Sequence, residues 1–432
     1  MLYLAANLRV HGHEVSILDG YGRQSDDWLE EVKRRSPDLL GLSCSSFSWT
    51  KATPLVPRIR AALPRLRIAV GGPHPTGLGG HVLREMPGAD YAVWGLGEWA
   101  LAELCAALEA GGRIPEIPGL ARRSGDDIVE APPVLSPNID GLPFPARDLV
   151  DMAHYRPSVG FYNRLPSASV IASRGCPRRC SFCVSGKQIA FRDAGSVIEE
   201  IDECARRYLI RHVVFWDEDI AAKKSLTAAL CEGLRRRAVP VSWCASLCLD
   251  RVDLRLIRMM KQAGCWKLLF GLESGVDENL ATLGKTAIPI QEIKDRLHLV
   301  AREGIETYAT FMFGIPGETK EQAKRTIRLA CNLPLDYALF LNFTPFPGTK
   351  FYGNLETYGR FMGVWSTQVT SFVPHSMTAT DLDRLRVKAY RRFYLRPRYV
   401  LRRLLGIRSY EDWSRNFRGL VAAILLRPEN RS

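Results

Sequence analysis

The chain has 432 residues, two to three times the length of a typical domain, which predicts two or three domains. With 46% hydrophobic and 24% charged residues, the composition excludes a disordered chain and a small scaffold stapled by disulfides. The 59 Lys and Arg against 46 Asp and Glu give a net charge of +13. Residues 381–432 hold 14 of the basic and five of the acidic residues, a net of +9, so the nearly balanced remainder argues against nucleic-acid binding.

Over the first 110 residues, short apolar strands alternate with amphipathic helical stretches. The predicted strands are Glu14–Asp19, Leu39–Cys44, Ile68–Val70 and Tyr91–Trp94. The helical stretches are 26–35, 51–62, 77–86 and 97–110. This alternation is typical of an α/β domain with a doubly wound parallel sheet. Residues 111–165 are rich in Pro and Gly and show little periodicity, which predicts a linker with docking segments.

A second alternation begins near Ala168 and predicts six further strands. These strands are 168–173, 212–216, 241–247, 266–273, 305–313 and 337–343. The helices expected between them are 194–208, 221–236, 253–263, 290–303 and 318–331. Six βα units predict a partial parallel barrel, whose active site lies at the carboxyl ends of the strands.

The chain shows no sign of secretion or of a membrane span. Its start lacks the basic segment of a secretory signal, and no apolar run approaches the roughly 20 residues of a membrane helix. The sequence therefore predicts a cytoplasmic protein. In a reducing compartment, clustered cysteines are more often metal ligands or redox groups than disulfides.

One such cluster follows the first strand of the second alternation. Cys176, Cys180 and Cys183 stand in the sequence RGCPRRCSFC, with the spacing C-x3-C-x2-C. Three thiolates from one tight loop can hold three irons of a cubane cluster and leave the fourth open to a small chelating ligand. A zinc site and unrelated structural cysteines are the alternatives, but structural zinc sites usually close the fourth position. The C-x3-C pair of Cys244 and Cys248 lies in or beside a strand and is expected to be packing.

At these residues the sequence resembles the radical S-adenosylmethionine (radical SAM) superfamily, and further motifs follow in the same order at successive strand ends. The resemblance implies that Phe182 packs against the adenine. It also implies that Asp217, Glu218 and Asp219 bind the amino group of the methionine moiety. Read without the resemblance, this acidic run is also typical of a helix N-cap with first-turn acids.

Three later motifs extend the resemblance along the strand ends. Glu273 and Ser274, followed by Gly275, match the element near the ribose and the methionine carboxylate. Gly314 and Gly317 belong to the turn Phe313-Gly-Ile-Pro-Gly-Glu318, which in the family lines the adenine, and Pro345–Thr349 follows the sixth strand. Glycine–proline turns after strands are common, so the joint occurrence carries the resemblance.

The family implies a definite chemistry for these motifs. A four-iron cluster binds S-adenosylmethionine through its open iron, and one electron cleaves the sulfonium to give a deoxyadenosyl radical. The protein places that radical against a substrate hydrogen and excludes water and oxygen. An external donor of the flavodoxin or ferredoxin type is the expected source of the electron.

The first domain resembles the cobalamin-binding domain that precedes the barrel in one large radical SAM subgroup. The resemblance runs through the sequences LYLAA, GHEV, SCSS, GGPH and GLGE. The residues it assigns to cobalamin are Ser43, Ser45, Gly71, Gly72, Gly95 and Glu98. Small residues there let a corrin tail approach the backbone closely. A generic nucleotide-binding α/β domain would show similar glycines.

Two departures from that subgroup bear on cobalamin. The D-x-H-x-x-G motif that supplies an axial histidine is absent, so cobalamin is expected to bind without a protein histidine. The chain also starts at the first helix, so the strand before it is missing and Glu14–Asp19 would form an exposed sheet edge. We expect either a start upstream of Met1 or a degenerate domain that does not hold cobalamin.

The basic C-terminal extension is predicted to be helical. Over residues 380–395 one helical face carries Leu382, Leu385, Ala389, Tyr390 and Phe393, and Pro397 ends the helix. The simplest expectation is a helix packed on the barrel with arginines at its margin. Peripheral contact with a membrane, which would bring the enzyme to a lipid-like substrate, and contact with an anionic substrate or partner protein are the alternatives.

The sequence therefore predicts an α/β protein in four segments. These are a flavodoxin-like, cobalamin-binding type domain (1–125), a linker (126–165), a radical SAM partial (β/α)6 barrel (166–365) and a basic helical extension (366–432). The predicted activity is methylation of an unactivated carbon in a biosynthetic pathway, with a 4Fe–4S cluster, S-adenosylmethionine and cobalamin as cofactors. The expected partners are a small-molecule or lipid-like substrate and the electron donor, without nucleic acid. A radical cyclisation, rearrangement or oxidation without methyl transfer is one alternative, and a non-catalytic iron–sulfur or cobalamin-binding regulator is another.

Overall fold

The computed structural model describes residues 1–20, 25–134, 138–155, 157–158, 160–186, 188–237, 239–407 and the single positions 413, 417, 421 and 425. The chain divides into two compact units. The N-terminal unit comprises Met1–Asp151 and Pro345–Gly353, and the C-terminal unit comprises Met152–Thr344 and Asn354–Ser432. The domain boundaries given above stay predictions. Within the described residues, no helix combines the length and the apolar character that crossing a bilayer requires.

The N-terminal unit is built on a five-stranded sheet of order β1-β2-β3-β4-β5. Its elements in chain order are α1 (Leu2–Val10), α2 (Ser25–Arg35), β1 (Leu39–Ser43), α3 (Ser46–Ala52), α4 (Leu55–Ala62), β2 (Arg67–Gly71), α5 (Pro73–Leu78), α6 (Val82–Glu85), β3 (Tyr91–Val93), α7 (Gly97–Glu109), β4 (Leu120–Ser124) and β5 (Asp127–Glu130). Strands β1, β2 and β3 are parallel, as predicted. The helix predicted over 77–86 is divided by a 3-10 turn at Gly79–His81.

Helices cover both faces of the parallel strands, which explains why β2 is apolar at most positions. Ile68 and Val70 of β2 pack with Ile59 of α4 on one face of the sheet. Ala69 packs with Leu104 of α7 on the other face. The doubly wound arrangement predicted for this unit is confirmed.

The strand predicted at Glu14–Asp19 is wrong, because this stretch is irregular and pairs with no strand among the described residues. Its apolar side chains Val15 and Ile17 instead pack with Ala5 and Ala6 of α1. A strand needs a neighbour to share its backbone hydrogen bonds, whereas contact with a helix satisfies only the side chains. The apolar pattern therefore predicted correctly that these side chains are buried, and predicted wrongly that the backbone pairs with a strand.

The stretch predicted to be an irregular linker contributes two strands to the sheet. Strand β4 runs antiparallel to β3, with Ala121 opposite Ala92, and β5 pairs antiparallel with β4. The turn between them contains Gly125 at φ +62°. Strand β5 is exposed on both sides of its chain except at Ile128, so its sequence lacks the apolar alternation that would have predicted it.

The C-terminal unit holds a six-stranded parallel sheet of order β13-β12-β11-β10-β9-β6. The strands of the whole unit are β6 (Ser167–Val170), β7 (Ser173–Arg174), β8 (Ala190–Phe191), β9 (His212–Phe215), β10 (Ser242–Ser246), β11 (Cys265–Glu273), β12 (Glu306–Phe313), β13 (Tyr337–Asn342), β14 (Gly359–Phe361) and β15 (Phe372–Pro374). Outside the six-stranded sheet, β7 pairs with β8 and β14 pairs with β15. The helices of the unit are α8 (Ala194–Arg207), α9 (Lys224–Arg236), α10 (Leu254–Gln262), α11 (Asp277–Thr282), α12 (Ile290–Arg302), α13 (Lys320–Asn332), α14 (Leu355–Tyr358), α15 (Ala379–Tyr394) and α16 (Pro397–Leu405). All six predicted strands and all five predicted helices of the partial barrel are confirmed.

The two faces of this sheet differ in character because successive side chains point to opposite sides. Val213, Phe215 and Phe270 point outward into one large apolar core shared with the surrounding helices. Trp216, directly after β9, remains 58% exposed, and its indole N–H donates to Ser169 Oγ at 2.9 Å. The inner face of the sheet is therefore lined in part by side chains that are not covered.

The amino ends of the strands enclose a cluster of buried charges, here called the amino-end cluster. Lys267 of β11 is fully buried, and its Nζ lies 3.1 Å from Glu306 Oε2 and 3.5 Å from the centre of the Tyr337 ring. Glu306 Oε1 also accepts a hydrogen bond from Arg403 of α16 at 3.0 Å. Asp336 lies 3.3 Å from a guanidinium nitrogen of Arg402. Each charge in the cluster thus faces an opposite charge or an aromatic ring.

The helix predicted at the start of the basic extension packs on the barrel, as α15. Leu382, Leu385, Ala389 and Phe393 are buried in the core of the C-terminal unit. The hydroxyl of Tyr390 donates to Phe340 O of β13 at 3.3 Å. The expectation of a packed helix is confirmed for α15, and a further helix, α16, begins at Pro397, where a proline is compatible with the first helical turn.

Candidate functional site

The three cysteines lie on one tight loop, residues 175–186, here called the cysteine loop. Gly175 has φ +93°, and a Cβ there would lie 2.0 Å from the carbonyl oxygen of Gln188, so a larger residue cannot replace it. The Cys176 amide donates to Gly186 O at 2.7 Å, and the Cys183 amide donates to Cys180 O at 3.2 Å. The loop therefore folds back on itself directly after β7.

The cysteine loop is anchored to the end of α11. The backbone amide of Ser181 donates to Leu283 O at 2.9 Å, and its hydroxyl donates to Thr282 O at 2.8 Å. Gly284, at φ +66°, brings the turn after α11 within 3.2 Å of Arg179 O, measured from where a Cβ would stand. Phe182, predicted to contact the adenine, stands between Cys180 and Cys183 in the sequence, and its side chain is half-buried.

The donor chemistry of the cysteine loop fits an iron–sulfur cluster. Burial raises the pKa of the Cys176 and Cys183 thiols, and the negative charges of Glu218 and of the neighbouring cysteines raise it further. Three thiolates so placed require a cationic group between them, which the irons of a cluster provide. Among the described residues, no three His, Cys, Asp or Glu side chains converge as the ligands of one metal ion would. In a cubane cluster each of the three cysteine sulfurs binds a different iron. The three sulfurs therefore lie farther apart than the ligands of a single metal ion.

Of the three acidic residues predicted to bind the methionine amino group, Glu218 faces the cysteine loop. Its Oε1 accepts a hydrogen bond from the Ser185 hydroxyl at 2.8 Å, and the Ser185 amide points to Cys183 Sγ at 3.4 Å. Asp217 is turned inward, where it accepts bonds from Ala172 N and Ser173 Oγ. Burial raises the pKa of Asp217 to about 6, although these hydrogen bonds oppose the shift.

Asp219 is also committed within the protein. It is buried, and its Oδ2 accepts a hydrogen bond from Arg251 Nε at 2.6 Å. Its Oδ1 lies 3.3 Å from the amide nitrogen of Cys248, whose thiol pKa is raised to about 12 by burial and by the Asp219 charge. Of the acidic motif, the structure therefore brings Glu218 to the cysteines and uses the two aspartates to hold the loop that carries it.

Glu273, at the carboxyl end of β11, has the strained backbone that often marks a functional position. Its φ is +62°, which is uncommon for a residue other than glycine, and the pairing with β12 shifts register between Gly271 and Glu273. The Lys285 ammonium lies 3.3 Å from Glu273 Oε1, and Thr310 Oγ1 lies 3.4 Å from Oε2. The sequence motif predicted Glu273 but not Lys285, which lies outside every motif.

Ser274 serves a buried hydrogen-bond network rather than an open face. Its hydroxyl lies 3.2 Å from Thr326 Oγ1 of α13 and accepts a hydrogen bond from Asn279 Nδ2 at 3.1 Å. Asn279 also donates to Glu318 Oε1 at 3.0 Å, and Glu318 Oε2 accepts from the Gly314 amide at 2.7 Å. Burial raises the pKa of Glu318 to about 8 against these bonds. This network holds the turns after β11 and β12 together.

The glycine-rich turn after β12 needs its glycines for two different reasons. Gly314 has φ +78°, and a Cβ there would lie 3.2 Å from Leu382 of α15, so the C-terminal extension closes over this turn. Gly317 has φ +82° and open space around it, so only its backbone conformation favours glycine. The turn therefore leaves an uncovered backbone at Gly317, where a flat ligand can approach.

The predicted turn Pro345–Thr349 belongs to the N-terminal unit. Gly77 of α5 meets this turn backbone to backbone, since a Cβ on Gly77 would lie 2.4 Å from Pro347 O. Phe346 packs edge-on against Phe47 of α3, with ring centres 5.5 Å apart. The motif is thus a packing element of the N-terminal unit beside α3 and α5.

The residues predicted for cobalamin lie at the carboxyl edge of β1, β2 and β3. Ser43 ends β1 and is exposed, and Ser45 caps α3 by accepting a hydrogen bond from the Ser48 amide. Gly72 has φ +102°, and a Cβ there would lie 2.7 Å from Cys44 O. A Cβ on Gly71 would lie 3.2 Å from Val93 O. The two glycines therefore let neighbouring loop backbones approach one another closely at this edge.

The loop after β3 completes this edge. Gly95 is exposed at φ +78°, and its amide donates to Thr76 Oγ1 at 3.1 Å. Glu98 is buried on α7, and its backbone carbonyl accepts a hydrogen bond from Asn7. Serine hydroxyls, small residues and exposed backbone N–H groups fit the nucleotide tail of a corrin, because ligands of such sheets bind at the carboxyl edge. Ser43, Ser45 and Gly95 would be its contacts, whereas the Glu98 side chain is turned into the unit.

His74 follows the two glycines and is fully enclosed. Its ring stacks on Trp49 at 4.3 Å, and its Nδ1 lies 3.0 Å from Ser46 Oγ. It is 1% exposed. This histidine is therefore a packing residue of the sheet edge and is not presented to a ligand.

Fold and site together define an enzyme with a cobalamin-binding domain followed by a radical SAM domain, and two family models match accordingly. The family described as B12 binding domain matches residues 1–105, and the Radical SAM superfamily matches residues 170–330. The chain belongs to the radical SAM superfamily, in the group whose members carry a B12-binding domain. Its cofactors are a 4Fe–4S cluster, S-adenosylmethionine and cobalamin.

Relatives of known sequence span nearly the whole chain. An uncharacterized methyltransferase, PH0819, of Pyrococcus horikoshii is 29% identical over 93% of this chain and 88% of its own length. The anaerobic magnesium-protoporphyrin IX monomethyl ester cyclase of Rubrivivax gelatinosus is 25% identical over 92% of this chain and 74% of its own. The cytidylyl-2-hydroxyethylphosphonate methyltransferase of Streptomyces wedmorensis is 24% identical over 81% and 76%.

Solved structures share the fold. The radical S-adenosylmethionine methyltransferase TsrM of Kitasatospora setae, with cobalamin and a [4Fe-4S] cluster bound, has a TM-score of 0.72 at 20% identity, over 98% of this chain and 95% of its own. The cobalamin-dependent radical enzyme OxsB, with aqua-cobalamin and S-adenosylmethionine bound, has a TM-score of 0.73 at 15% identity, over 98% and 69%. The predicted fold class is therefore confirmed for both parts of the chain.

Proposed function

We propose that this protein is a cobalamin-dependent radical SAM methyltransferase that methylates an unactivated carbon of a biosynthetic intermediate. The observation that carries the proposal is the hydrogen-bonded line from Glu218 through Ser185 to Cys183. It places a carboxylate beside the cysteine loop in a chain that also carries a B12-binding domain. A regulator that only held a cluster would have no use for a carboxylate directed at it.

Two groups near the cysteine loop suit the two charges of the methionine moiety. Glu218, beside the cysteine loop, offers a carboxylate to the ammonium group of the methionine moiety. Lys285, beside the strained Glu273, offers an ammonium to the methionine carboxylate at the carboxyl end of β11. Opposite charges on the two moieties orient the ligand as well as bind it.

When bound, the cluster supplies the electron that cleaves the sulfonium of S-adenosylmethionine, and cobalamin supplies the methyl group. The protein's own residues position the reactants and exclude water. Two side chains line the inner face of the sheet, Trp216, which lies two residues before Glu218, and Ser169 of β6. The ring of Phe161, in the predicted linker, stacks on the Trp216 ring with the ring centres 6.0 Å apart. It therefore narrows the space in front of this face. An apolar ring surface with few hydroxyls suits a largely apolar substrate.

The partners proposed are a small-molecule or lipid-like biosynthetic substrate and a one-electron donor of the flavodoxin or ferredoxin type. The names of the relatives support a biosynthetic role, since they include methyltransferases and a cyclase. The cyclase favours one second candidate, a radical reaction without methyl transfer. Methyl transfer from S-adenosylmethionine yields S-adenosylhomocysteine in addition to deoxyadenosine, whereas a radical cyclase yields deoxyadenosine alone.

The experiment is anaerobic reconstitution with iron, sulfide and hydroxocobalamin, followed by reduction and product analysis. The proposal predicts retained corrinoid and the formation of both deoxyadenosine and S-adenosylhomocysteine. Deoxyadenosine without S-adenosylhomocysteine, or a cluster without retained corrinoid, would leave a radical enzyme of the second kind. Neither product, with cluster and reductant present, would overturn the enzymatic proposal altogether.

A matched pair of cysteine variants tests the assignment of the cluster. Cys180→Ala should abolish the cluster absorbance and both products. Cys105→Ala, a half-buried cysteine of α7 in the N-terminal unit, removes a thiol without touching the loop and should retain both. A full cluster in the Cys180 variant would remove the cysteine loop from the site.

A further inference from the structure

Helix α16 is oriented opposite to an ordinary surface helix. In such helices the apolar stripe faces the protein and the charged face meets water. In α16, Leu401, Leu404 and Leu405 are 59%, 59% and 78% exposed, and none of its residues is fully buried. The helix thus presents its leucines outward, which calls for an apolar partner.

Polar contacts fix this orientation on the barrel. Arg403 Nη1 donates to Glu306 at 3.0 Å, and Arg402 Nη2 donates to Leu335 O at 2.9 Å. The Tyr399 hydroxyl donates to Asp336 O at 2.9 Å. These partners belong to the amino-end cluster or border it. Rotating α16 to bury its leucines would break all three contacts, so the exposed leucines are a fixed feature of the surface.

The charge of the surrounding sequence identifies the kind of apolar partner. Residues 395–410 contain five arginines and no Asp or Glu, and Arg398 is exposed on α16. Beyond α16, the described residues Trp413, Phe417 and Leu425 are 47%, 51% and 64% exposed. An acidic protein would pair with the arginines but leave this run of apolar groups in water. A surface that is anionic above and apolar beneath matches both.

We propose that α16 binds the surface of an anionic lipid membrane. The helix lies in the interface, with its leucines among the acyl chains and its exposed arginines, Arg398 and Arg402, at the headgroups. Because α16 docks at the amino ends of β12 and β13, this contact is at the end of the barrel away from the cysteine loop. The helix therefore holds the enzyme on the membrane and does not pass a substrate from the bilayer into the site.

The test is co-sedimentation of the full-length, reconstituted protein with vesicles. Vesicles of phosphatidylcholine alone are compared with vesicles in which about one third of the lipid is phosphatidylglycerol. Binding should be about tenfold or more stronger to the anionic vesicles and should weaken as salt is raised. Failure of the wild-type protein to bind anionic vesicles would overturn the proposal.

Two double variants with the same change in charge separate the surface from the rest of the protein. Leu404→Asp with Leu405→Asp should reduce vesicle binding about tenfold or more. Leu209→Asp with Ile290→Asp, at exposed apolar positions away from α16, should leave it unchanged. Equal binding by both double variants would contradict the proposal. So would a self-associated wild-type protein that the α16 variant converts to monomer, since α16 would then be a contact between copies. Deoxyadenosine formation by both variants shows that the fold is intact.

Discussion

The two ends of the parallel sheet in the C-terminal unit use charged residues in opposite ways. At the amino end, Lys267, Glu306 and Arg403 are paired with one another and with aromatic rings. At the carboxyl end, Glu218 reaches an exposed cysteine loop through one hydroxyl, and Glu273 is held in a strained backbone conformation. The first arrangement satisfies its charges internally. The second leaves charge directed at a space that a ligand must fill.

Burial of charge is therefore not by itself a sign of function. Lys267 is the more deeply buried group, and its ammonium donates to Gly160 O and pairs with Glu306. Glu218 and Glu273 are distinguished by their position at strand ends beside the cysteines, where parallel sheets bind ligands. Stability and chemistry should therefore respond separately to substitutions at the two ends.

The largest effect is expected at the amino end. Lys267→Met leaves Gly160 O without its buried donor and Glu306 with Arg403 as its remaining partner, and the loss of the buried lysine should cost about 3 kcal/mol. Urea unfolding of the apo-protein should show this loss in the free energy of unfolding. Lys324→Met, at an exposed pair on α13, controls for the loss of a lysine and should change it by less than about 0.5 kcal/mol. Equal effects of the two would refute the role given to the amino-end cluster.

The next effect is a dependence of stability on pH through Glu318. Because its pKa is raised from an ordinary value near 4.5 to about 8, the folded state binds its proton more tightly than the unfolded state does. Its contribution to stability is therefore complete below about pH 4.5 and is lost as the pH rises through about 8, an effect on the order of 3 kcal/mol.

Glu318→Gln should remove most of this decline, as measured by urea unfolding between pH 5 and pH 8, roughly the span of the shift. Glu292→Gln, at an exposed ion pair on α12, should retain the decline and serves as the control for a lost carboxylate. A wild-type protein whose stability does not fall over this range would show that Glu318 is not held protonated.

At the carboxyl end, Glu218→Gln should weaken binding of S-adenosylmethionine by about 30-fold, or about 2 kcal/mol, through the loss of a charge-assisted hydrogen bond. The free energy of unfolding should change by less than about 0.5 kcal/mol. Equilibrium binding and urea unfolding measure the two quantities on the same preparation. A large loss of stability with unchanged binding would reverse the roles assigned to the two ends.

The smallest effect concerns the strained residue. Glu273→Gly relieves the positive φ and should raise the free energy of unfolding by about 1 kcal/mol while reducing deoxyadenosine formation. Leu209→Gly, at φ +53° on the surface, should stabilise by a similar amount and leave activity unchanged. If both variants kept full activity, the strain at Glu273 would have no functional meaning.

Much of this organisation could be predicted from the sequence because strands, helices and the cysteine spacing are local patterns. Leu39–Cys44 and the six barrel strands are apolar runs between turns, and such runs predict buried strands. Glu14–Asp19 was wrongly predicted to be a strand, because apolar side chains packed on a helix give the same sequence pattern as those of a strand. The pairing partner that separates the two lies elsewhere in the chain.

Motifs predicted the residues of the site, but they did not predict which of these residues face the cysteine loop and which are held by other side chains. Glu218 differs from Asp217 and Asp219 only in its partners, Ser185 against Ser173 and Arg251, which lie far away in sequence. Lys285 lies in no motif and reaches Glu273 through the fold. The outward leucines of α16 were hidden because the same amphipathic pattern is normally buried.

We propose that the carboxyl end of the sheet binds S-adenosylmethionine on a cluster held by three cysteines, with Glu218 as a direct contact. The most direct measurement is the electron paramagnetic resonance spectrum of the reduced, reconstituted protein before and after addition of S-adenosylmethionine. A four-iron signal should change on addition in the wild-type protein and in Lys267→Met, and should need a much higher concentration of S-adenosylmethionine to change in Glu218→Gln. A signal that S-adenosylmethionine leaves unchanged in the wild-type protein, or a four-iron signal that persists in Cys180→Ala, would contradict this proposal.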